Sequence, residues 1–352
     1  MRRICLIRHG HPDFAFHAHM CLGRTDTPLG AFGRMQAALL GEALKDVPMT
    51  VFSSPLSRCL QTAAPFCSDP VIVEELAEQD MGVWDGMDFD TIRAQWGDLY
   101  ARRREEPLLV PPGAETLEQV CGRVLPAIDR CLESCRGDIA LVTHSSVSQT
   151  ILAKAAGLPL EQSRPLRPPY ASVTILDADD DMKILQSAFR PVPELTVPLA
   201  EKLLAAAAPG ERIDAHSRAV ADMAVTIADA IPIPLDRTLL TGAALLHDIA
   251  RTEKDHAELG AAWLRELGYD RAAALVGSHH DLKSDAVDET AVLFLADKCV
   301  REDRIVSLEE RFAESEIRCL TSEAKASHAK RREAAFALRE RINDLCGQKI
   351  IS

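Results

Sequence analysis

The sequence predicts an α/β unit built on a parallel sheet, followed by an all-α unit. Three observations carry this. In the first half, short apolar runs alternate with helical stretches, and several runs stop abruptly at an arginine or a histidine. Between residues 190 and 198, Pro191, Pro193 and Pro198 interrupt any regular element. From Arg212 onward, apolar residues recur at helical spacing only. At 352 residues, two domains with separate cores are expected. Their expected extents are 1–195 and 211–345, with 196–210 as linker.

Composition narrows the partners. A formal charge of −13 argues against general nucleic-acid binding and leaves room for a local cationic pocket. No apolar run approaches the roughly 20 residues of a membrane span. Arg2 and Arg3 precede only the short apolar run Ile4–Ile7, too short for a signal peptide. The ten cysteines are scattered without a Cys-x-x-Cys pair, which predicts reduced thiols in a cytoplasmic protein. Cys131 and Cys135 are expected to be packing residues on a helix.

Taken in order, Arg3–Ile7 reads as a buried strand that ends in Arg8-His9-Gly10. Ligands of open α/β sheets bind beyond the carboxyl ends of strands, so Arg8 and His9 are delivered to such a place. Gly10 is expected to allow a sharp turn and a close approach to a ligand. His11, His17 and His19 follow on what reads as a mobile surface loop rather than a metal site. A helix is expected over about 33–45, and Thr50–Ser53 reads as the next strand. Pro55 then opens a helix whose first turns hold Arg58, where anions are attracted. Val71–Val73 is a short third strand, leading to the carboxylate-rich loop Glu74–Gly86 around Trp84. Thr116 and Gln119 form a capping box for a helix reaching about Ser134. Asp138–Thr143 is a strand followed directly by His144, and 173–185 reads as a closing hairpin.

Two histidines and two arginines thus converge on one sheet edge. Planar guanidinium forks suit the oxygens of a phosphate dianion. A neutral imidazole can attack phosphorus, and a carboxylic acid can protonate the leaving alkoxide. Arg8-His9-Gly10, Gly23-Arg24-x-Asp26-x-Pro28-Leu29, Ser53-Ser54-Pro55-Leu56-x-Arg58-x-x-Gln61-Thr62-Ala63, Leu76-x-Glu78-x-x-x-Gly82-x-Trp84-x-Gly86 and His144 together resemble the histidine phosphatase superfamily over roughly 1–190. The resemblance implies a three-layer α/β sandwich, the phosphoglycerate-mutase-like fold. It implies His9 as the phosphohistidine nucleophile, Arg8, Arg58 and His144 around the phosphoryl group, Arg24 as a further substrate contact, and Glu78 as general acid. The chain has His11-Pro12 where the family often has Glu-Thr, and Ser145 where it often has Gly, which bears on the substrate. Cys21–Asp26 is similar to phosphatases of the α-ribazole phosphate type. The long insertions of mutases are absent, so a phosphatase is expected, with a mutase as the alternative.

In the second half the histidines fall on apolar faces. His216 is in register with Ile213, Val220, Met223 and Ile227. His247 follows Leu240 and Ala243, His256 lines up with Leu259, Gly260 and Trp263, and His279-His280 follow Leu275 and Val276. Asp248 and Asp297 accompany them. Burying so many polar groups without a shared partner would cost several kcal/mol. A divalent Mn, Fe, Co or Zn centre would satisfy them together. His216…His247-Asp248…Asp297 resembles the HD superfamily of metal-dependent phosphohydrolases over roughly 211–310. His256, His279 and His280 match the extra histidines of two-metal subgroups, so two ions are expected rather than one. Arg251 and Lys298 are candidate phosphate contacts, with exposed surface cations as the competing reading. The stretch Arg301–Phe312 resembles small HD domains joined to cofactor nucleotidyltransferases. The charge-rich helix over about 321–345 is expected to be a solvated face or a docking element.

The expectation is therefore a two-headed phosphohydrolase, metal-free in its first head, acting on small phosphorylated molecules such as nucleotides or cofactor precursors. It involves no nucleic acid and no membrane, and a homodimer is left open. The rival reading makes the HD half a nucleotide-sensing regulatory module.

Overall fold

Four consecutive apolar residues, Ile4–Ile7, make β1 (Arg3–Arg8) a strand with both faces covered. The computed structural model describes residues 2–351 apart from positions 17, 19, 107 and 283. It divides into two units, Met1–Pro193 and Glu194–Ser352.

In the first unit, β1 is followed by β2 (Met20–Cys21), α1 (Ala31–Leu44), β3 (Thr50–Ser53), α2 (Ser57–Ala63), β4 (Val71–Ile72), β5 (Met87–Asp88), α3 (Phe89–Glu105), α4 (Leu117–Ser134), β6 (Ile139–Thr143), α5 (Ser145–Ala155), β7 (Val173–Asp177) and β8 (Ile184–Phe189). The main sheet has the order β4-β3-β6-β1-β7-β8. Its first four strands pair in parallel, while β7 and β8 join antiparallel, so the sheet is mixed rather than parallel throughout. The expected 173–185 hairpin is this antiparallel edge.

Strand alternation builds the layers. Ile4, Leu6, Ile139 and Leu141 point to one face and pack with Val120, Val124, Ile128, Val147 and Ile151 of α4 and α5. Cys5, Ile7, Ala140 and Val142 point to the other and pack with Leu40, Cys59 and Ala63 of α1 and α2. The result is a three-layer α/β sandwich. Thr116 and Gln119 make the expected reciprocal cap on α4.

A satellite cluster of Cys21, Met81, Trp84 and Ile92 sits beneath the segment carrying Glu78. Trp84 is fully buried there. Trp84→Ala is expected to cost about 3–5 kcal/mol of stability, read as a drop in the urea midpoint at unchanged slope. A loss below about 1 kcal/mol would mean that this cluster does not anchor the segment.

The second unit comprises α6 (Val197–Ala207), α7 (Glu211–Ala230), α8 (Arg237–Leu246), α9 (His256–Glu266), α10 (Asp270–Ser278), α11 (Glu289–Lys298), β9 (Val300–Arg301), β10 (Arg304–Ile305), α12 (Leu308–Glu316) and α13 (Ser322–Cys346). Two sequence readings are corrected here. The stretch expected as a linker, 196–210, holds α6, whose Leu199, Ala200, Leu203, Leu204 and Ala207 are buried. Pro198 reads as a breaker, but proline is favoured in a helix's first turn, and Thr196 caps the helix by accepting from the Leu199 N–H. The unit is also not purely helical, because β9 and β10 form a short antiparallel hairpin. Helix α8 is central and packs on α6, α7, α10 and α11. α13 buries Ala335, Leu338 and Ile342 and exposes much of the rest. Among the described residues no helix is long and apolar enough to cross a membrane.

Candidate active sites

The carboxyl ends of three neighbouring parallel strands, β3, β6 and β1, deliver Ser54, His144 and His9 to one place. The His9 and His144 rings lie 5.0 Å apart, centroid to centroid. His9 Nδ1 faces the Gly10 carbonyl at 2.7 Å. A carbonyl only accepts, so Nδ1 carries the proton and Nε2 keeps its lone pair. Burial, then Arg58 and Arg8, pushes His9 well below the ordinary imidazole range. His144 is depressed in the same way by burial, Arg58 and His9.

Arg58 is wholly buried. Its Nε donates to His144 Nδ1 at 3.2 Å, Nη1 to the Thr25 carbonyl at 2.9 Å and Nη2 to the Gly23 carbonyl at 2.7 Å. The remaining ring nitrogen of His144 meets Ser54 Oγ at 2.7 Å. The Gly23–Leu29 segment therefore serves to seat Arg58. Asp26 Oδ1 accepts from both the N–H and the hydroxyl of Ser57 at the start of α2. Arg8 donates through Nη1 to the Pro168 carbonyl at 2.7 Å and lies over the Tyr170 ring at 3.9 Å. Glu78 is buried and accepts from the Ser146 N–H at 3.1 Å, at the N-terminus of α5 directly after His144.

The structure also places Arg24, His11 and Gly10, and it changes the reading of His11. Arg24 is half-exposed and pairs with Glu115 at 3.7 Å, and no described contact joins it to His9 or His144. His11 is buried rather than on a surface loop, with its ring against Phe14 and Tyr170 and its N–H donating to Gln36. His17 and His19 lie outside the described residues. Packing already requires glycine at position 10, since a Cβ there would meet the Gly33 carbonyl oxygen at 2.7 Å. Sequence reasoning passed over Tyr170, Ser54 and Arg167. Ser54 stands inside a quoted motif. Arg167 and Tyr170 stand in the arginine- and proline-rich run Arg164–Tyr170, whose composition signals a loop but no chemistry. Arg167 donates to Gln149 Oε1 at 2.7 Å, and burial followed by Arg103 pushes its pKa down to about 10.

The second unit gathers all seven expected ligands. His247 and His279 are fully buried, with Nδ1 on the Ala244 and Val276 carbonyls at 2.7 and 2.6 Å. This fixes both tautomers and leaves both Nε2 atoms buried without a hydrogen-bond partner. His216 Nδ1 faces the Glu302 carbonyl at 2.8 Å, so its Nε2 lone pair is directed at Asp297 Oδ1, 3.2 Å away. Two acceptors at that distance call for a proton or a cation between them.

Asp248 divides the cluster. Its Oδ2 is 3.5 Å from His247 Nε2 and 4.0 Å from His216 Nε2. Its Oδ1 is 3.3 Å from His256 Nε2 and 3.8 Å from His279 Nε2. His280 Nε2 lies 3.0 Å from His256 Nε2. Triads compatible with a metal ion occur on both sides: His216, His247 and Asp297 on one, His256, His279 and His280 on the other. Neutral imidazoles with fixed lone pairs and two carboxylates fit a divalent ion of borderline softness.

Arg251 lines this site and donates to His256 Nε2 at 2.7 Å. Lys298 departs from its competing reading as an exposed surface cation. It is buried, with Nζ 2.5 Å from Asp297 Oδ2 and over the Phe294 ring, so its charge holds a carboxylate of the cluster.

A profile of the histidine phosphatase superfamily (branch 1) matches residues 4–189. The chain belongs to this superfamily. An HD-domain profile matches residues 213–302 of the second unit. Both are phosphohydrolase families, so this histidine phosphatase superfamily member with an HD domain is a hydrolase of phosphate esters. Its first unit is similar to the uncharacterised phosphatase PhoE of Bacillus subtilis, at 28% identity over 45% of this chain and 79% of that protein. It is also similar to a probable phosphoglycerate mutase, GpmB, of Salmonella choleraesuis, at 29% over 50% of this chain and 85% of the other. Among solved structures, mycobacterial hydrolase 2 is 25% identical and covers 59% of this chain and 97% of its own, with a TM-score of 0.50. HD domains are typically metal-dependent, and the seven clustered histidines and aspartates of this one could bind a metal.

Proposed function

We propose that the chain is a two-headed phosphohydrolase. The observation that carries the first head is the tautomer of His9, tied through Nδ1 and held neutral in a cationic pocket. His9 Nε2 attacks phosphorus. The bond from phosphorus to the leaving oxygen breaks, and that oxygen takes its proton from Glu78. Water then attacks the phosphohistidine, returns a proton to Glu78 and releases orthophosphate while the P–N bond breaks. Arg8 and Arg58 neutralise the phosphoryl oxygens, and His144, clamped between Arg58 and Ser54, holds the cradle in shape. Hydrolysis rather than transfer to a second hydroxyl is proposed, with small phosphorylated molecules as substrates.

For the second head, His216, His247, Asp297 and Asp248 would hold one divalent ion, and His256, His279, His280 and Asp248 a second. Such ions supply Lewis-acid stabilisation of charge on a phosphoryl group. Lys298 fixes Asp297, and the Ala244, Val276 and Glu302 carbonyls fix the rings. The substrate class is nucleotides or related cofactor precursors.

The test is metal removal. Exhaustive chelation is expected to abolish nucleotide hydrolysis and to leave turnover of a simple aryl phosphate within about twofold, because nothing in the first head's chemistry requires an ion. Loss of both activities would join them in one site. Chelation without effect on either would make the second unit a binding module.

A further inference from the structure

The second unit contains a cavity of about 510 Å³ whose floor includes His216 and Asp248. Its walls are cationic far beyond the ligand cluster. They include Arg212, Arg251, Arg301, Arg311 and Arg318, against the acids Glu211, Glu302 and Glu314. Most of these charges are already paired. Arg212 pairs with Glu302 at 3.0 Å, Arg301 with Glu314 at 2.5 Å, and Arg251 with Asp248 at 3.4 Å. Arg311 and Arg318 have no such acid among the described ion pairs, and Arg311 Nε is buried without a hydrogen-bond partner.

Both come from one face of α12 and its C-terminal turn. Arg311, Glu314, Ser315 and Arg318 stand at i, i+3, i+4 and i+7, so a single helical stripe faces the cavity. The stripe lies beyond residue 302, where the HD-domain match ends. Gly210, the N-cap of the 20-residue α7, makes no side-chain cap, so Glu211 and Arg212 at the start of that helix line the same cavity with no side chain capping their N–H groups. A half-buried arginine whose Nε is buried without a partner, the uncapped start of α7 and a second arginine form an anion seat beside the metal-ligand cluster.

We infer that Arg311 and Arg318 form a specificity subsite for a remote anionic group of the substrate. The HD head then prefers molecules whose charge extends beyond the phosphoryl group under attack. This rests on the hydrolase reading of the HD domain, but it is testable without turnover.

The probe is inorganic tripolyphosphate, compared with orthophosphate. The readout is hydrogen exchange of peptides covering 208–216 and 308–318 in the full-length chain, which reports on the second unit alone. Tripolyphosphate is expected to protect both segments at a concentration about tenfold or more below that of orthophosphate. Arg311→Ala is expected to raise the half-protection concentration about 10–100-fold, as for loss of a charge-assisted contact. Arg318→Ala, at an exposed position, should raise it less, and Arg311→Lys should recover part of the loss. Equal protection by the two anions, or Arg311→Ala and Arg318→Ala both matching the wild type, overturns the subsite. Selective protection in a protein that hydrolyses no phosphate ester in a chelator-sensitive manner keeps the subsite and overturns the hydrolase reading of the HD half.

Discussion

His9→Ala is expected to lower aryl-phosphate turnover by at least about 10³-fold, in line with removing a nucleophile whose partners remain in place. The loss should fall on kcat with little change in KM, because Arg8 and Arg58 still bind the phosphate. Acid-labile label from a ³²P-substrate, trapped on the wild type by rapid quench, should be absent from the variant. Glu78→Gln should behave differently. It should lose about 10²–10⁴-fold on alkyl phosphates, whose leaving group needs a proton, and far less on nitrophenyl phosphate, whose leaving group does not. Equal losses on both substrates would give Glu78 a structural role.

The pH profile follows from the same geometry. Both imidazoles are held below the ordinary range, so neither takes a proton as pH falls through about 6.5, where a free histidine would. Activity should therefore persist below that point. Stability should not: the unfolded chain gains protons at these two positions before the folded one does. Stability is then fully present above about pH 6.5 and declines as pH falls below it. A chemical-denaturation series across that range reads the slope.

Much of this site was legible because its residues lie at strand ends. An apolar run that stops at Arg8-His9 or at His144 places those side chains at the sheet's carboxyl edge whatever the loops do. Glu78 was reached through resemblance rather than through local chemistry, since its seat on the Ser146 N–H joins segments 68 residues apart in sequence. Tyr170 and Arg167 escaped because a loop residue's position depends on where the chain returns to the sheet. The α6 misreading has a local cause: Pro198 stops a helix in its interior but favours its first turn, and only burial of Leu199, Leu203 and Leu204 distinguishes the two. The surface-cation reading of Lys298 failed because a lysine next to an aspartate in sequence gives no sign of burial. Here the carboxylate itself is buried and draws the ammonium in.

Asp248 should be the least replaceable residue of the second unit, because it faces both ligand sets, one through each carboxylate oxygen. A ligand serving one ion would cost that ion alone when removed. Asp248→Ala is expected to reduce bound transition metal from near two per chain to well under one, measured by elemental analysis after desalting. Asp297→Ala should remove mainly the ion held with His216 and His247, and His280→Ala mainly the other. The three variants thus separate a binuclear centre from a mononuclear one. Metal that binds the folded state alone adds stability by mass action, about 2.7 kcal/mol at a hundredfold excess over Kd. The wild type should therefore gain several degrees in Tm on metal addition, and Asp248→Ala should gain almost none. Should Asp248→Ala retain two ions and the full Tm response, the inward histidines would not form a centre bridged by this carboxylate. In that case the buried Nε2 atoms of His247 and His279, which have no hydrogen-bond partner, would each need a separate one.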